Sequence, residues 1–165
     1  MDFMGYERAD GSVGVRNHVV VLPTIGCVNE MAHRISGKVK NTIPLLHNHA
    51  CIRLGEDALR AEKTLIGIGQ NPNIHSVLVV GLGCEPISAK HLAEEILKSK
   101  KEVRYVSIDE LGNYEKTVKQ GVKYLIELSS LAAKQKRTAC DVSKLTIGIK
   151  CGGSGSVSAI SSNPS

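Results

Sequence analysis

Seven residues of this 165-residue sequence have side chains that can bind a metal or transfer a proton, and they follow short apolar runs. They are Cys27, His47, His49, Cys51, Cys84, Glu85 and Cys151. Thiolate, imidazole and carboxylate ligands together suit a borderline metal such as iron or zinc. The histidines can instead act as general bases, because imidazole titrates near neutral pH. These residue types therefore predict either a metal centre, formed by the cysteines and Glu85, or an acid–base site formed by the histidines.

The cysteine spacing does not indicate a structural zinc site. Structural zinc sites use local Cys-x-x-Cys pairs, and the sequence contains no such pair. A closed four-cysteine site or an iron–sulfur cluster is thus an alternative that the spacing does not indicate. Five cysteines also fit no small disulfide framework. We therefore expect reduced thiols in a cytoplasmic protein, because the N-terminus also lacks the apolar core of a signal peptide.

Two glycine-rich stretches raise the alternative of a nucleotide or phosphate ligand. Gly81-Leu82-Gly83 follows an apolar run, but no third glycine completes a dinucleotide fingerprint. The stretch from Cys151 to Ser156 can form an anion-binding nest of backbone N–H groups, yet it lacks the Gly-Lys-Ser/Thr of a P-loop. A non-catalytic module that binds a phosphorylated ligand stays open as a second interpretation, and a cysteine-based metal-binding protein as a third.

Alternating hydrophobic patterns predict the elements that position these residues. Short β-branched runs predict strands at His18–Thr24, Thr42–His47, Ser76–Leu82, Val103–Ile108 and Leu145–Ile149. Apolar residues at helical spacing predict helices across Val28–Ile35, Leu54–Ile68, Ala89–Leu97 and Tyr114–Ala133. This order predicts an α/β fold, with a doubly wound, mainly parallel five-stranded sheet and helices on both faces, of the Rossmann or flavodoxin type.

The same pattern divides the chain into three parts. We expect an irregular N-terminal segment (residues 1–17), the α/β domain (18–150) and a Gly/Ser-rich tail (151–165) that begins a further domain. Ligands of doubly wound sheets bind outside the carboxyl ends of the strands. The reactive residues all follow predicted strands, so we expect them to share that edge of the sheet.

The amino-acid composition indicates which kinds of binding partner to expect. The net charge is +5, but the basic residues are dispersed and only 3% of the residues are aromatic. Without aromatic side chains among the cations to stack on bases, we expect no nucleic-acid binding. No apolar run is long enough to span a bilayer, so we expect no membrane partner. The positive charge suits an anionic small-molecule substrate, and we expect the protein to form a homo-oligomer.

A set of short motifs, in order along nearly the whole chain, resembles the sugar-acid dehydratase family typified by altronate and galactarate dehydratase. The motifs are Gly5-Tyr6-x-Arg8-x-Asp10-Gly11-x-Val13-Gly14-Val15-Arg16-Asn17, Pro23-Thr24 with Cys27, His47-x-x-x-Cys51, Asn71-Pro72-Asn73, Gly81-Leu82-Gly83-Cys84-Glu85, Lys150-Cys151-Gly152-Gly153-Ser154 and Asn163-Pro164. A sulfolactate sulfo-lyase also belongs to this family. The match corresponds to the family's Rossmann-like middle domain and ends at the start of its C-terminal domain.

The resemblance implies a hydro-lyase that dehydrates a hydroxy acid to a 2-keto-3-deoxy acid, commonly with a divalent metal such as Fe2+ or Mn2+. A base removes the proton next to the carboxylate, and the β-hydroxyl leaves with acid assistance. His47 or His49 is the candidate base. The candidate substrate-binding residues are Arg8, Arg16, Asn17, Ser154 and Asn163. Cys27, Cys51, Cys84, Glu85 and Cys151 are the candidate metal ligands.

The sequence departs from the family's pattern at its end. Family members usually carry an aspartate where this chain has Gly155, and a glycine where it has Ala159. They also continue into another large domain. This chain is therefore expected to be a fragment, one half of a split enzyme that acts with a separate C-terminal domain or subunit, or a stand-alone derivative.

Overall fold

The structure is a computed structural model that describes residues 1–49, 51 and 54–148. Its strands, in chain order, are β1 (Asp2–Glu7), β2 (Val13–Gly14), β3 (His18–Pro23), β4 (Thr42–Pro44), β5 (Ile74–Gly81), β6 (Glu102–Ser107) and β7 (Thr138–Asp141). Its α-helices are α1 (Asn29–Ser36), α2 (Glu56–Gln70), α3 (Ala89–Leu97), α4 (Ile108–Leu111) and α5 (Tyr114–Lys134).

The β-branched runs form a parallel sheet of the order β4-β3-β5-β6 in the described part of the chain. Val20 lies opposite Ile43 of β4 on one side and Val77 of β5 on the other, in parallel register. The chain moves outward from β3 to β4 and then crosses to β5 on the opposite side. Strand order therefore reverses between β3 and β5, which is where doubly wound sheets bind ligands. The α/β, Rossmann-like prediction is confirmed.

Two helical layers cover the sheet because its central strands are apolar on both faces. Val19 and Val21 of β3 pack with α1 and α5, whereas Val20 and Leu22 pack with α2 and α3. The side chains on both sides are almost completely buried, from 0 to 3% exposed in this strand. The core thus fixes β3 and β5 rigidly and leaves their carboxyl-terminal loops to carry chemistry.

Polar caps define where α3 and α5 begin. The Ser88 hydroxyl accepts a hydrogen bond from the backbone N–H of His91 at 3.2 Å. The Asn113 side chain accepts bonds from the N–H groups of Glu115 and Lys116. Such caps satisfy N–H groups that a helix leaves unpaired at its first turn. The predicted helices at Ala89–Leu97 and Tyr114–Ala133 match α3 and α5 closely.

The N-terminal segment differs from the prediction of irregular structure. Strand β1 pairs antiparallel with β2 and also with β7, so that Phe3 lies opposite Cys140. The segment is regular because β7 supplies the long-range partner that local sequence does not reveal. This three-stranded sheet has the order β2-β1-β7 and shares no strand with the parallel sheet.

The predicted strand at Leu145–Ile149 is wrong for residues 145–148, which belong to no strand. Leu145 is 39% exposed and Ile147 is 75% exposed, so the apolar pattern there does not mark a buried strand. Ile149 lies outside the described residues. The parallel sheet therefore has four strands, not five, in the part of the chain that the structure describes.

No helix among the described residues has the length and apolar character needed to cross a membrane.

Candidate functional site

The carboxyl ends of β3 and β5 meet at a hydrogen-bonded pair formed by Thr24 and Glu85. The Thr24 hydroxyl, fully buried, lies 2.8 Å from one carboxylate oxygen of Glu85. The same carboxylate accepts the backbone N–H groups of Leu82 at 3.0 Å and Gly83 at 2.6 Å. Glu85 thus turns inward onto its own loop, and its side chain occupies the backbone N–H groups that would hold a ligand anion.

Close packing at this loop depends on two glycines. A Cβ on Gly81 would lie 2.7 Å from the carboxylate of Glu85. Gly83 has φ +116, a conformation that side chains disfavour, and a Cβ there would lie 2.4 Å from Asp109. Asp109 in turn accepts a hydrogen bond from the Ser107 hydroxyl at the end of β6. The close approach of the Glu85 and Asp109 carboxylates therefore requires glycine at positions 81 and 83.

The two candidate bases lie together on the loop after β4. The rings of His47 and His49 are nearly parallel, with centroids 6.0 Å apart and planes 14° apart. The Nε2 atom of His47 is 2.8 Å from the carbonyl oxygen of Pro23, at the end of β3. The His47 Nδ1 atom accepts the backbone N–H of His49 at 3.2 Å. The predicted convergence of β3 and the His47–His49 loop is thus present.

Two residues that sequence reasoning missed attach this loop to the start of α1. The Asn29 side chain donates to the His47 carbonyl at 2.8 Å and accepts the His47 N–H at 3.3 Å. The Gly26 N–H donates to the His49 carbonyl at 3.3 Å. A Cβ on Gly26 would lie 3.0 Å from the His47 carbonyl oxygen, so the approach needs glycine. The sequence marks neither residue, since a polar Asn in the first turn of a helix is common.

A cleft of about 550 Å³ opens beside the histidines, a size typical of small-molecule sites. Both His47 and His49 line it, together with Arg60 of α2. Its other walls are Leu22, Leu45, Leu46, Asp57, Ala61, Thr64, Leu65 and Ile68. The Arg60 guanidinium is 77% exposed and 3.8 Å from Glu56, so it is weakly paired. Arg60 therefore places a positive charge near the candidate bases. No motif in the sequence had identified this residue.

The candidate metal ligands do not form a metal site within the described residues. Cys27, Cys51 and Cys84 are exposed free thiols, while Glu85 is bonded to Thr24 and its own loop. No group of three or more His, Cys, Asp or Glu side chains in the described part of the chain is arranged to hold a metal ion. Cys151, Ser154 and Asn163 lie outside the described residues. The described residues alone therefore do not fit a divalent metal.

Arg8, Arg16 and Asn17 lie at the opposite edge of the sheet from the histidines. The Arg8 guanidinium donates to the Pro72 carbonyl at 2.7 Å, just before β5 begins. It also donates to Asn17, to Gln135 and to the Arg16 carbonyl. Six strand residues, roughly 20 Å, separate this amino edge from the end of β3. The structure thus brings these three residues together with one another but not with His47 or His49.

The amino edge also buries a second cation. Lys101 is 5% exposed and donates to the Asn71 carbonyl. Burial, together with the nearby Arg8 guanidinium, lowers the pKa of Lys101 to about 8. Burial also lowers the pKa of His75, again with a contribution from Arg8.

The N-terminal motif and the Asn71-Pro72-Asn73 turn form one hydrogen-bonded unit, because the Asn73 side chain accepts the backbone N–H groups of Val15 and Arg16.

Fold and site together define an α/β, Rossmann-like domain with paired histidines at the carboxyl edge of its sheet. Residues 5–133 match the family model described as "D-galactarate dehydratase/Altronate hydrolase, second domain". The chain belongs to this family of lyases. The family predicted from the motifs is thereby confirmed.

Curated relatives cover almost all of the chain. It is 35% identical over 162 residues to the (2R)-sulfolactate sulfo-lyase subunit beta of Chromohalobacter salexigens, matching 98% of this chain and 41% of that protein. It is 34% identical to the altronate dehydratase of Bacillus subtilis, matching 98% of this chain and 34% of that protein. It is 33% identical to the altronate dehydratase of Escherichia coli, matching 96% of this chain and 34% of that protein.

The chain therefore spans between about a third and two fifths of the length of these relatives. No solved structure matches it significantly.

Proposed function

We propose that this chain is one domain of a hydro-lyase that dehydrates a sugar acid of the altronate or galactarate type to a 2-keto-3-deoxy acid. The observation that carries the proposal is the placement of two adjacent histidines on a cleft, at the carboxyl edge of a domain that belongs to this family. The remaining machinery would come from a separate domain or subunit, because the relatives are much longer.

The chemistry follows from the residues at the cleft. A neutral imidazole of the His47–His49 pair accepts the proton on the carbon next to the substrate carboxylate, and the C–H electrons form an enediolate. The β-carbon–oxygen bond then breaks, and the leaving hydroxyl takes a proton and departs as water. The resulting enol becomes the 2-keto-3-deoxy acid. Arg60, on the same cleft, holds the carboxylate of the substrate.

We retain Fe2+ or Mn2+ as a proposed cofactor, but no step above uses it. Its ligands would have to include residues beyond the described ones, such as Cys151 or groups on the rest of the assembly. A cytoplasmic location and a homo-oligomeric state also stay proposals. The four cysteines of the described residues are all free, which is consistent with a reducing compartment.

A nucleotide- or phosphate-binding module is the weaker alternative. The backbone N–H groups of Leu82 and Gly83, at the reversal of strand order, already donate to Glu85. A phosphate would have to displace that carboxylate.

A direct assay tests the proposal. The complete assembly is this chain joined to the part of the Bacillus subtilis altronate dehydratase that it does not match. We would incubate it with aldonates, aldarates and (2R)-sulfolactate, with Fe2+ or Mn2+ present, and measure 2-keto acid formation. The expected result is a 2-keto-3-deoxy acid from a sugar acid. Product from sulfolactate alone would assign a sulfo-lyase instead, and no product from any acid would contradict the proposal.

A further inference from the structure

Strand β6 lies at an open edge of the parallel sheet. It pairs with β5 on one side and with no strand of the described residues on the other. An edge strand with unpaired backbone groups is a template for pairing with another strand. The opposite edge strand, β4, is the poorer template, because it has three residues and ends at Pro44, which has no N–H to donate.

The register of the sheet shows which backbone groups of β6 face the open edge. On β5, the Val80 carbonyl accepts the N–H of Thr24, so the backbone groups of Val80 face β3. Backbone direction alternates along a strand, so Val79 faces β6 and bonds to the residues on either side of its opposite residue, Tyr105. Val103 and Tyr105 therefore direct their N–H and C=O groups away from β5.

The charges on β6 are complementary to those of a second copy of the same strand. In an antiparallel ladder, residues whose backbone groups face the partner lie opposite one another. A two-fold axis at Val103 would put Glu102 opposite Arg104 of the second copy, and by symmetry this pair occurs twice. Both side chains are available, since Glu102 is 50% exposed and Arg104 is 43% exposed.

The same charges disfavour the neighbouring registers. If one strand moves by two residues in one direction, Arg104 lies opposite Arg104 of the second copy. A move in the other direction places Glu102 opposite Glu102. Like charges directly opposite each other destabilise a strand pair, whereas opposite charges stabilise it. Of these three registers, only the one centred on Val103 pairs opposite charges.

The surface around the edge leaves room for a second strand. A cleft of about 230 Å³ lies against β6, with Leu97 of α3 and Tyr124 of α5 in its walls. Leu97 is 52% exposed and lines this cleft together with Val103. Because Val103 would lie on the two-fold axis, Leu97 would approach its counterpart in the second copy. Pairing would therefore bury apolar surface as well as join charges.

Arg104 has a different role in the single chain. Its guanidinium donates to the Val103 carbonyl at 2.9 Å and lies 3.8 Å from Glu102. Charged side chains on an edge strand commonly prevent pairing. In the paired arrangement, the Val103 N–H of the second copy would take over this carbonyl, and Arg104 would bond to the second copy's Glu102. A residue that only protects the edge implies no register, so exchange of the two charges separates the roles.

From the open edge and its charges we infer that two copies of this chain pair through β6, antiparallel about a two-fold axis at Val103. The two parallel sheets become one continuous sheet. This inference does not depend on the proposed hydro-lyase function. The loop that carries His47 and His49 follows β4, at the opposite edge of the sheet, so the dimer does not cover the cleft beside the histidines.

Charge exchange tests the register. Sedimentation equilibrium of the chain alone, from about 10 µM to 1 mM, should show a dimer with a Kd of about 10–100 µM, because the paired edge is short. Glu102→Arg and Arg104→Glu should each raise this Kd about tenfold or more, because each places like charges opposite one another twice. The combined variant restores both pairs, and its Kd should lie within about threefold of the wild type.

The control is Lys63→Glu, at an exposed lysine of α2, which should leave Kd unchanged. Thermal unfolding of every variant checks that the fold is intact. A wild type that stays monomeric at the highest concentration would overturn the inference. So would a dimer that the single variants do not weaken, or one that the combined variant does not restore.

Hydrogen exchange locates the interface. The Val103 amide should exchange more slowly as the protein concentration rises through Kd, whereas the Arg104 amide, which faces β5, should be protected throughout. A Val103 amide that is protected in the monomer would show that another part of this chain covers the edge. A dimer in which this amide stays unprotected would place the interface elsewhere. Either result would overturn the inference.

Discussion

Thr24 and Glu85 join the ends of β3 and β5 through their side chains, in addition to the backbone pairing of the sheet. Thr24 is fully buried, and its hydroxyl lies 2.8 Å from the carboxylate that also accepts two backbone N–H groups. Hydrogen bonds to a charged acceptor contribute about 1.5–3 kcal/mol each when both partners are held in place. This pair therefore stabilises the loop that carries Cys84.

A double-mutant cycle at Thr24 and Glu85 tests that contribution. Glu85→Gln should lower the free energy of unfolding by about 1–2 kcal/mol, because one terminal atom can no longer accept. Thr24→Val should lower it by about 1 kcal/mol, and the two changes together should fall short of the sum by at least about 0.5 kcal/mol. Urea unfolding measures all three, with the exposed Glu127→Gln as control. Strict additivity would show that the two side chains act independently.

Arg60 is the residue on which substrate affinity should depend. Its guanidinium lies on the same cleft as His47 and His49 and is largely exposed. Arg60→Gln in the complete assembly should raise KM about tenfold or more, because one charge-assisted contact to a carboxylate is lost. Its thermal unfolding should not change. Arg104→Gln removes a comparable surface arginine, 3.8 Å from Glu102, and should leave KM unchanged. An equal effect of both variants would indicate a general charge effect.

Lys101 should give the stability of the protein a distinctive pH dependence. Its pKa is about 8 in the folded protein and 10.5 in its ordinary state, so the unfolded chain binds more protons between these values. The free energy of unfolding should therefore rise as pH increases from 8 to 10, by about 2 kcal/mol relative to Lys101→Met. Unfolding at several pH values measures this difference. Lys123→Met, at an exposed lysine, should behave like the wild type, and a flat difference would contradict the burial effect.

At the scale of secondary-structure elements, the periodicity of hydrophobic residues along the sequence predicted most of the fold. The centres of the two predicted runs, residues 19–22 and 77–80, are apolar and buried at every position, so local sequence alone marks β3 and β5. Strand β7 pairs with β1 across more than 130 residues, as at Asp2 and Asp141, and no local pattern encodes such a partner. The position of His47 and His49 after a predicted strand was enough to place them at the carboxyl edge of the sheet. It was not enough to place Arg8 at the amino edge, because Arg8 is held there by long-range contacts with Pro72 and Gln135.

The contact between the N-terminal segment and the turn before β5 requires Gly14. A Cβ at this position would lie 2.1 Å from the Pro72 carbonyl oxygen. Gly14→Ala must therefore displace the turn, and we expect it to lower the free energy of unfolding by about 1–3 kcal/mol. Gly67→Ala is the matched control, since nothing lies within 4 Å of its Cβ inside α2. That variant should instead raise stability by about 0.5–1 kcal/mol. Similar effects of both variants, measured by urea unfolding, would show that the contact at Pro72 is not tight.

At the scale of the molecule, Arg8 connects three distant parts of the chain. It lies in the segment after β1 and donates to Pro72 before β5, to Asn17 before β3 and to Gln135 after α5. It is 9% exposed. The small antiparallel sheet is thus joined to the parallel sheet by a buried guanidinium whose donors are directed at protein acceptors. Such a residue organises the fold, and we expect another cation to bind the substrate carboxylate.

Replacing Arg8 distinguishes this structural role from substrate binding. Lysine cannot reach acceptors spread around a planar guanidinium, so Arg8→Lys should lower the free energy of unfolding by about 2–3 kcal/mol. Because Arg8 lies at the amino edge, KM of the complete assembly should stay within about twofold below the unfolding temperature. Arg16→Lys is the control, since within the described part of the chain that exposed side chain bonds only the neighbouring Val15 carbonyl, at 3.4 Å. The stability of this variant should change by less than about 0.5 kcal/mol. A tenfold rise in KM with unchanged stability in Arg8→Lys would instead place Arg8 on the substrate.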